Sequence, residues 1–411
     1  MIDNFKSSVP KKPVPDTDIT KEVEPLANTG SVFKTPEEMA ATTIEDDHID
    51  MSKEFAPKKP PHKKRFRLSR KQWLLIGTVL LLIVASFCVY WFAWRKTPVK
   101  KEVVVVKKVA VAPKPTTEPS HLTGVTVPIE MNQMPVTGIM IENSPDARPQ
   151  SGLKDAGVVF EAVAEGGITR FLALFQEAQP DYIGPVRSAR PYYLDWLSPF
   201  DAALAHVGGS PDALAAIKSL GIKDLDQFFN SGAYQRISSR YAPHNVYTSR
   251  KALRTIEQQK GFNGSNFTGF TRKKEAPLAT PTAKTIDLTM SGYLYNVHYD
   301  YDTASNSYLR SEGSKPHIDE RSKAQLSPKV VVALVLPYSV AADGIHSIYG
   351  TTGSGKAYYF QDGGVTEGTW EKTGTKNQFV LKDAAGNTMS LNPGQTWFTM
   401  VSSAGAVVYK P

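Results

Sequence analysis

One stretch of this sequence restricts the possible folds more than any other. From Trp73 to Trp94 it runs for 22 residues without a charged side chain. A helix rises about 1.5 Å per residue, so this stretch is long enough to cross a hydrocarbon core of roughly 30 Å. Aromatic residues stand at both ends, as they do at membrane interfaces. Because the stretch is apolar on every side and has charges on both flanks, we predict a transmembrane helix over 73–94 rather than a buried core helix.

The position of this stretch indicates an uncleaved signal anchor. A secretory signal peptide is shorter, lies near the chain start and ends in small residues, whereas this stretch begins at residue 73 and ends in bulky aromatics. The only cysteine of the chain, Cys88, follows Phe87, although a lipidation signal needs a small residue there. We therefore expect neither cleavage nor lipidation. A single thiol also excludes an intramolecular disulfide.

Basic residues on the two flanks give the expected orientation. Eight Lys or Arg and no acid lie in the fourteen residues from Lys58 to Lys71, and six lie between Arg95 and Lys108. Because the more basic flank stays in the cytoplasm, we predict a cytoplasmic N-terminus and an extracytoplasmic C-terminal part. The basic flank also explains much of the net charge of +8, so we expect no nucleic-acid partner.

Composition divides the rest of the chain into five segments. Residues 1–57 lack an apolar period and are rich in Pro and charged residues, which is typical of a disordered cytoplasmic tail. The segment 58–72 is the basic juxtamembrane region, and 95–120, rich in Lys and Pro, indicates an extracytoplasmic linker. Residues 121–265 predict a mixed α/β domain, and 275–411 predict a mostly β domain of short strands and Gly, Asn and Asp turns. We thus expect an α+β fold behind a single transmembrane helix.

The α/β prediction depends on a few local patterns. Two apolar segments, GVVFEAVAEG and FLALFQEA, are typical of buried strands. Helical spacing occurs over Asp195–Leu204, Pro211–Leu220 and Ser249–Lys260. The second of these begins with a proline and is followed by Gly221, the usual punctuation of a helix.

The candidate site residues lie between 161 and 245. Glu161 and Glu165 are four residues apart in an apolar strand, which predicts that both carboxylates share one face and suits acid–base chemistry. Arginines suit bidentate binding of carboxylate or phosphate. The candidate catalytic residues are Glu161, Glu165 and His206. The candidate ligand-binding residues are Arg170, Arg187, Arg190, Ser210, Arg240, His244 and Asn245. A buried ion network would contain the same residue types, so both interpretations stay open.

Two glycine-rich segments are candidates for anion binding. Gly208-Gly209-Ser210-Pro211 marks a helix start, where free N–H groups hold an anion or Ser210 is an ordinary N-cap. The segment 350–357, GTTGSGKA, resembles a phosphate-binding loop, but alanine replaces the magnesium-binding hydroxyl and a strand follows. We therefore expect no nucleotide, no other cofactor and no metal.

Several longer segments resemble the YerB-like family, a bacterial envelope family described chiefly as a domain of unknown function. The resemblance extends from about Val136 to the end of the chain. It rests on ENSPDARPQSGL, DAGVVFEAVAEGGITRFLALF, IGPVRSARPYY, HVGGSP and RYAPHNVY, and then on YDYD, SYLRSEG, TGSGKAYYF, GTW and GQTWF. It implies joined N- and C-terminal domains outside the cytoplasm. Family members are often described as lipoproteins, from which this chain differs by its predicted helix. The resemblance implies no activity and no catalytic residues.

Three functions remain as hypotheses. The first is a non-catalytic module that binds an anionic cell-wall polymer, peptide or envelope protein, with the arginines holding the anion and His244 and Asn245 orienting it. The second is an envelope glycan hydrolase or transferase that uses Glu161 or Glu165 with His206 or His244. The third is a scaffold that couples the cytoplasmic tail to envelope machinery. We expect the binding module rather than an enzyme.

Overall fold

The computed structural model of this protein describes residues 69–94 and 115–411. The predicted cytoplasmic tail lies outside the described residues, as do most of the basic segment and most of the linker. The described residues fall into two units, with residues 69–94 in the first and residues 115–411 in the second.

Helix α1, Arg70–Ala93, is the described part of the first unit. Ser69 precedes it, and the Ser69 N–H donates to the Gln72 side chain at 3.0 Å. None of its residues is buried within the protein, and Cys88 is exposed. Among the described residues it is the one helix long and apolar enough to cross a membrane. A continuous apolar surface of this size needs an apolar partner.

Four further helices occur in the described part of the second unit. They are α2 (Ile129–Asn132), α3 (Pro191–Leu197), α4 (Pro211–Leu220) and α5 (Arg250–Gln259). The predictions of α4 and α5 are confirmed. Both follow a serine whose hydroxyl accepts an N–H of the first turn, namely Ser210 from Ala213 and Ser249 from Ala252. Gly221, in the left-handed conformation that glycine adopts readily, ends α4.

The helix predicted over Asp195–Leu204 is wrong in its second half. Helix α3 ends at Leu197, a single 3-10 turn follows, and Ala203–His206 is a strand. Pro199 has no N–H to continue the helix, and Asp201 turns the backbone into the left-handed region at φ 46°. The apolar residues that follow are therefore free to form a buried strand.

Twenty-one strands occur in the same part of the chain. They are β1 (Thr117–Pro119), β2 (Thr126–Pro128), β3 (Thr137–Glu142), β4 (Val158–Glu165), β5 (Ile168–Phe175), β6 (Ala203–His206), β7 (Lys223–Asp226), β8 (Tyr234–Arg236), β9 (Val246–Thr248), β10 (Thr285–Leu288), β11 (Val297–Asp302), β12 (Ser307–Glu312), β13 (Lys315–Pro316), β14 (Val330–Val335), β15 (Tyr338–Val340), β16 (Ser347–Tyr349), β17 (Gly353–Gln361), β18 (Gly364–Lys372), β19 (Val380–Asp383), β20 (Thr396–Val401) and β21 (Val407–Lys410). The second unit is thus mixed α and β, and mostly β.

Ten strands form one sheet in the order β19-β18-β17-β14-β20-β4-β5-β3-β6-β7, and five form a second sheet in the order β13-β12-β11-β10-β21. Strand β20, near the end of the chain, lies in parallel between β14 and β4. Trp397 and Phe398 of β20 stand opposite Val159 and Phe160 of β4. Strands from 121–265 and from 275–411 therefore share one continuous sheet.

Alternate residues of the central strands face two different cores. On one face, Phe160 and Phe398 belong to a core completed by α3 and α4. On the other face, Phe171 and Trp397 pack with α5, and the five-stranded sheet covers β14 and β17. Side chains from β4 and β5 therefore reach opposite environments according to their parity.

Candidate functional site

The parallel strands β3, β6 and β7 end at the same edge of the ten-stranded sheet. Crevices outside the carboxyl ends of parallel strands are the usual ligand positions in α/β sheets. The segment 186–190 crosses this edge. The Arg187 N–H donates to Met140 O at 2.9 Å, and the Val207 N–H donates to Arg187 O at 3.0 Å. The backbone therefore fixes Arg187 where β3 and β6 end.

Two grooves lie beside this segment, and both include Ser188 and Gly209. The first groove has a volume of about 550 Å³, and the second has a volume of about 760 Å³. Residues of the first groove include Arg187, Asp226, Phe228, Phe229, Arg236 and Pro243. Residues of the second groove include Arg190, Tyr192, Asp195, Ser210, His346 and Tyr349.

Glu142, the last residue of β3, is the centre of a polar cluster that the sequence predictions missed. Its Oε1 lies 3.0 Å from His244 Nδ1, 3.0 Å from Ser144 Oγ and 3.3 Å from Arg187 Nε. The side chain is only 3% exposed, and its Oε2 has no hydrogen-bond partner within the described chain. We call Glu142, Ser144, Arg187 and His244 the Glu142 cluster. The available signal was an acid that ends an apolar strand at the start of the segment ENSPDAR.

Arg187 is an arginine with unused donors. It forms an ion pair with Glu142, but the side chain makes no hydrogen bond within the described residues. Burial lowers the pKa of Arg187, although Glu142 raises it, and the neighbouring charge of Arg170 adds to the lowering. A guanidinium keeps its proton in proteins, and the buried Nε lies against Glu142, so the four N–H groups of the two terminal amino groups remain on a side chain that is 23% exposed at the first groove.

Arg170 and Arg190, by contrast, have filled terminal donors. Both donate to Glu165, Arg170 at 2.8 Å and Arg190 through a shorter contact. Their other terminal amino groups donate to the carbonyls of Ser188 and Ala189, each at 2.7 Å. Burial would raise the pKa of Glu165, but the two arginines outweigh it and hold that pKa below its ordinary value. Arg170 and Arg190, which were predicted to bind a ligand, therefore hold the segment 186–190 in place.

The prediction that Glu161 and Glu165 share one face is wrong. The register between β4 and β5 shifts between Val163 and Glu165, where β4 has a bulge. One extra residue in a strand moves the following side chains to the other face. Glu161 is fully buried, where it accepts from Arg310 at 2.9 Å and from Trp397 Nε1 at 3.0 Å. The two carboxylates therefore do not form a pair for glycoside chemistry.

His206 is also removed from the candidates for acid–base chemistry. It is fully buried at the end of β6, with Nδ1 2.7 Å from Gly208 O and Nε2 3.0 Å from Asp224. Burial would raise the pKa of Asp224, but the hydrogen bond with His206 lowers it. Because both ring nitrogens are used, His206 holds the turn before α4 in place.

Ser210 is the N-cap of α4. Its Oγ accepts the Ala213 N–H at 3.3 Å, and its carbonyl accepts the Leu214 N–H at 3.0 Å. Pro211 has no N–H, and Asp212 places a negative charge in the first turn. Few donors therefore remain for an anion, and the capping interpretation accounts for this residue.

Arg240 and Asn245 lie close in sequence to His244, but their polar groups are occupied. Arg240 donates to the carbonyls of Asp146 at 3.2 Å and Pro149 at 2.8 Å. Asn245 accepts from Arg236 at 3.1 Å. Of the predicted binding residues, the structure brings together Arg170 and Arg190 on Glu165, and Arg187 and His244 on Glu142.

Comparison with known proteins gives consistent matches. The family model described as "Protein of unknown function (DUF3048) N-terminal domain" matches residues 122–263, and the corresponding C-terminal domain model matches residues 286–398. A protein of Bacillus subtilis (strain 168), named "Putative lipoprotein YerB", is 32% identical over 293 residues, which are 69% of this chain and 86% of that protein. The crystal structure of YerB protein from Bacillus subtilis aligns with a TM-score of 0.65 and 28% identity, over 71% of this chain and 99% of that chain.

Proposed function

Because this chain belongs to the YerB-like (DUF3048) family, whose function is unknown, we propose a function from its own geometry. It is a membrane-anchored module outside the cytoplasm that binds an anionic cell-envelope ligand in the first groove. The observation that carries this proposal is Arg187. Its guanidinium faces the groove with no side-chain hydrogen bond to the described residues, and hydrogen bonds between charged groups are the strong ones.

Helix α1 supports the anchored location. None of its 24 residues is buried, and the uncharged stretch Trp73–Trp94 has eight basic residues over Lys58–Lys71 against six over Arg95–Lys108. We place the N-terminus in the cytoplasm. The "putative lipoprotein" name of the relative fits a surface location by a different tether, since Phe87 before Cys88 disfavours lipidation here. A reporter enzyme active only outside the cytoplasm, fused after Pro411, should be active, and silence would contradict this orientation.

The rest of the first groove suits an anion that has an apolar or ring-shaped part. Arg236 adds a second positive charge. Phe228 and Phe229 line the same groove and are 65% and 83% exposed. Exposed aromatic pairs mark interaction sites, and their faces stack on rings. Asp226 repels an anion less than its charge suggests, because one of its oxygens accepts the Gly208 and Phe228 N–H groups at 3.0 and 3.2 Å.

The other two hypotheses fare differently. A glycan hydrolase built on Glu161 and Glu165 lacks its carboxylate pair, because the bulge in β4 separates the two side chains. A scaffold function depends on the tail 1–57, which lies outside the described residues. Loss of envelope function on deletion of 1–57 would support a scaffold, and an unchanged phenotype would contradict it.

Arg187→Ala in the detergent-solubilised full-length chain tests the binding proposal. We expect its affinity for purified cell-wall polymer to fall roughly 10- to 100-fold, because a hydrogen bond to a charged group contributes about 1.5–3 kcal/mol. Lys382→Ala is the matched control, since Lys382 lies in β19 at the opposite end of the ten-stranded sheet. Unchanged affinity of Arg187→Ala would remove the mechanism from the proposal.

A further inference from the structure

Two neighbouring phenylalanines form an exposed wall of the first groove. Phe228 and Phe229 follow β7 and are 65% and 83% exposed. Asp226 fixes the turn that carries them, because its carboxylate accepts the Phe228 N–H at 3.2 Å and its carbonyl accepts the Phe229 N–H at 3.1 Å. The Phe228 ring lies so close to Gly208 that a Cβ there would come within 3.1 Å of it. The two rings are therefore held outside the core, where they are available to an apolar partner.

The rest of the groove lining shows what kind of apolar partner fits. Its polar side chains are limited to Arg187, Ser188, Asp226 and Arg236. A sugar ring would bring several hydroxyl groups, each of which needs a hydrogen-bond partner when it is buried. A hydrocarbon chain needs no such partner and gains free energy when it is buried against apolar side chains. The lining thus favours hydrocarbon over sugar as the uncharged part of the ligand.

The charged part of the ligand has two arginines at the same groove. The terminal amino groups of Arg187 make no hydrogen bond to the described residues. Arg236 is exposed, donates from one amino group to Asn245 at 3.1 Å, and forms no ion pair within residues 115–411. A carboxylate has two oxygens, which a single guanidinium fills, whereas a phosphate monoester has three acceptor oxygens. Two arginines at one groove therefore favour a phosphate.

We infer that the ligand of the first groove is an anionic lipid, with its phosphate on Arg187 and Arg236 and its hydrocarbon chain on Phe228 and Phe229. This inference rests on the proposed function, because Arg187 holds the anion in both, and it names the molecule that carries the anion. A polymer without a hydrocarbon chain would use the arginines and leave both rings in water. The proposed anchor keeps bilayer lipid near the module, and a high effective concentration makes a modest affinity sufficient.

Two phosphates that differ only in their acyl chains separate a lipid from a free anion. The probes are dihexanoyl phosphatidate and glycerol 3-phosphate. Equilibrium dialysis against the detergent-solubilised full-length chain measures both affinities, with protein-free micelles as the blank. We expect the wild type to bind the phosphatidate at least about 10-fold more tightly, because its chains are buried against the rings. Arg187→Ala should lower both affinities by about the same factor, roughly 10-fold or more.

Replacement of the two rings tests the position of the chains. Phe228→Ser combined with Phe229→Ser should lower the affinity for phosphatidate at least about 10-fold and change that for glycerol 3-phosphate by less than about threefold. The matched control combines Tyr293→Ser with Leu294→Ser, since these neighbours are 65% and 48% exposed and line neither groove. It should leave both affinities unchanged. Thermal unfolding checks each fold, and Phe229→Ser alone replaces the double variant should that variant melt at a lower temperature.

Binding of purified cell-wall polymer is measured on the same preparations. Equal affinity of the wild type for the two probes would overturn the lipid assignment, and so would a preference for phosphatidate that survives the loss of both rings. Neither result touches the proposed function as long as Arg187→Ala weakens the binding of polymer. Polymer binding that is unchanged in Arg187→Ala would contradict the proposed function itself.

Discussion

Two clusters in this protein have nearly the same composition and opposite surroundings. The Glu142 cluster combines glutamate, arginine and histidine, and its arginine lines the first groove. A second cluster, which we call the Arg310 cluster, consists of Glu161, Arg310, Glu312 and His317, and all four side chains are buried. It lies where the five-stranded sheet covers the ten-stranded sheet, and it joins β4 to β12.

Each of the three guanidinium nitrogens of Arg310 has an acceptor. Its Nε donates to His317 at 2.9 Å, one terminal amino group to Tyr299 at 3.0 Å and the other to Glu161 at 2.9 Å. The guanidinium also lies over the ring of Trp397, 4.5 Å from its centroid. Burial would lower the pKa of Arg310, but Glu161 and Tyr299 raise it above its ordinary value.

The two clusters differ in whether the arginine N–H groups have acceptors, and not in the types of residue that they contain. The Arg310 side chain is 0% exposed and its guanidinium is satisfied, whereas Arg187 keeps its donors free at a groove. A buried donor without a partner costs free energy, so filled donors indicate a structural role and open donors indicate a binding role. The role of an arginine beside a glutamate is therefore indicated by whether its N–H groups have acceptors within the protein.

The largest expected effect is on the free energy of unfolding. Arg310→Met should destabilise the protein by about 3–5 kcal/mol, because it leaves Glu161 buried without its cation, whereas Glu312 keeps Arg148 at 3.2 Å. Arg187→Met should cost on the order of 1 kcal/mol, since Glu142 keeps Ser144 and His244 and the arginine is partly exposed. Urea unfolding of the two variants measures both values. Equal losses would break the distinction between the clusters.

Much of the fold follows from local patterns, and those predictions are confirmed. A serine cap, a proline in the first turn and a closing glycine predicted α4 over Pro211–Leu220, and apolar runs predicted β4 and β5. Each of these signals lies within about ten residues of the element that it predicts. The order of the strands has no such signal. The insertion of β20 beside β4 depends on contacts between distant parts of the chain.

The site was harder to predict for the same reason. Period-two spacing placed Glu161 beside Glu165, but a bulge that leaves no clear mark in the sequence separates them. The partner of Glu161 is Arg310, which lies 149 positions further along the chain. Arg187 and His244 were among the predicted residues, whereas Glu142, which orients both, was not.

A smaller expected effect is the dependence of stability on pH that Glu312 of the Arg310 cluster contributes. Burial raises the pKa of Glu312 to about 7, although Arg310 lowers it, and the neighbouring Glu161 adds to the rise. In the folded protein this carboxyl keeps its proton up to about that pH, whereas the unfolded chain releases it near its ordinary pKa of 4.5. Between these values the folded state binds more protons than the unfolded state. The contribution of Glu312 to stability is therefore present at low pH and is lost as pH rises.

His317 acts in the opposite sense, so the test needs a difference between two proteins. Burial and Arg310 hold the pKa of His317 well below its usual value. The free energy of unfolding therefore falls as pH drops below about 6.5, both in the wild type and in any variant that retains His317. Glu312→Gln removes only the glutamate. The stability of the wild type minus that of Glu312→Gln should fall by on the order of 2–3 kcal/mol from about pH 5 to about pH 8, measured by urea unfolding. A difference that stays flat would mean that Glu312 is ionised throughout this range. The Arg310 cluster would then hold a charge that its arginine does not fully compensate, and filled donors would no longer separate it from the Glu142 cluster.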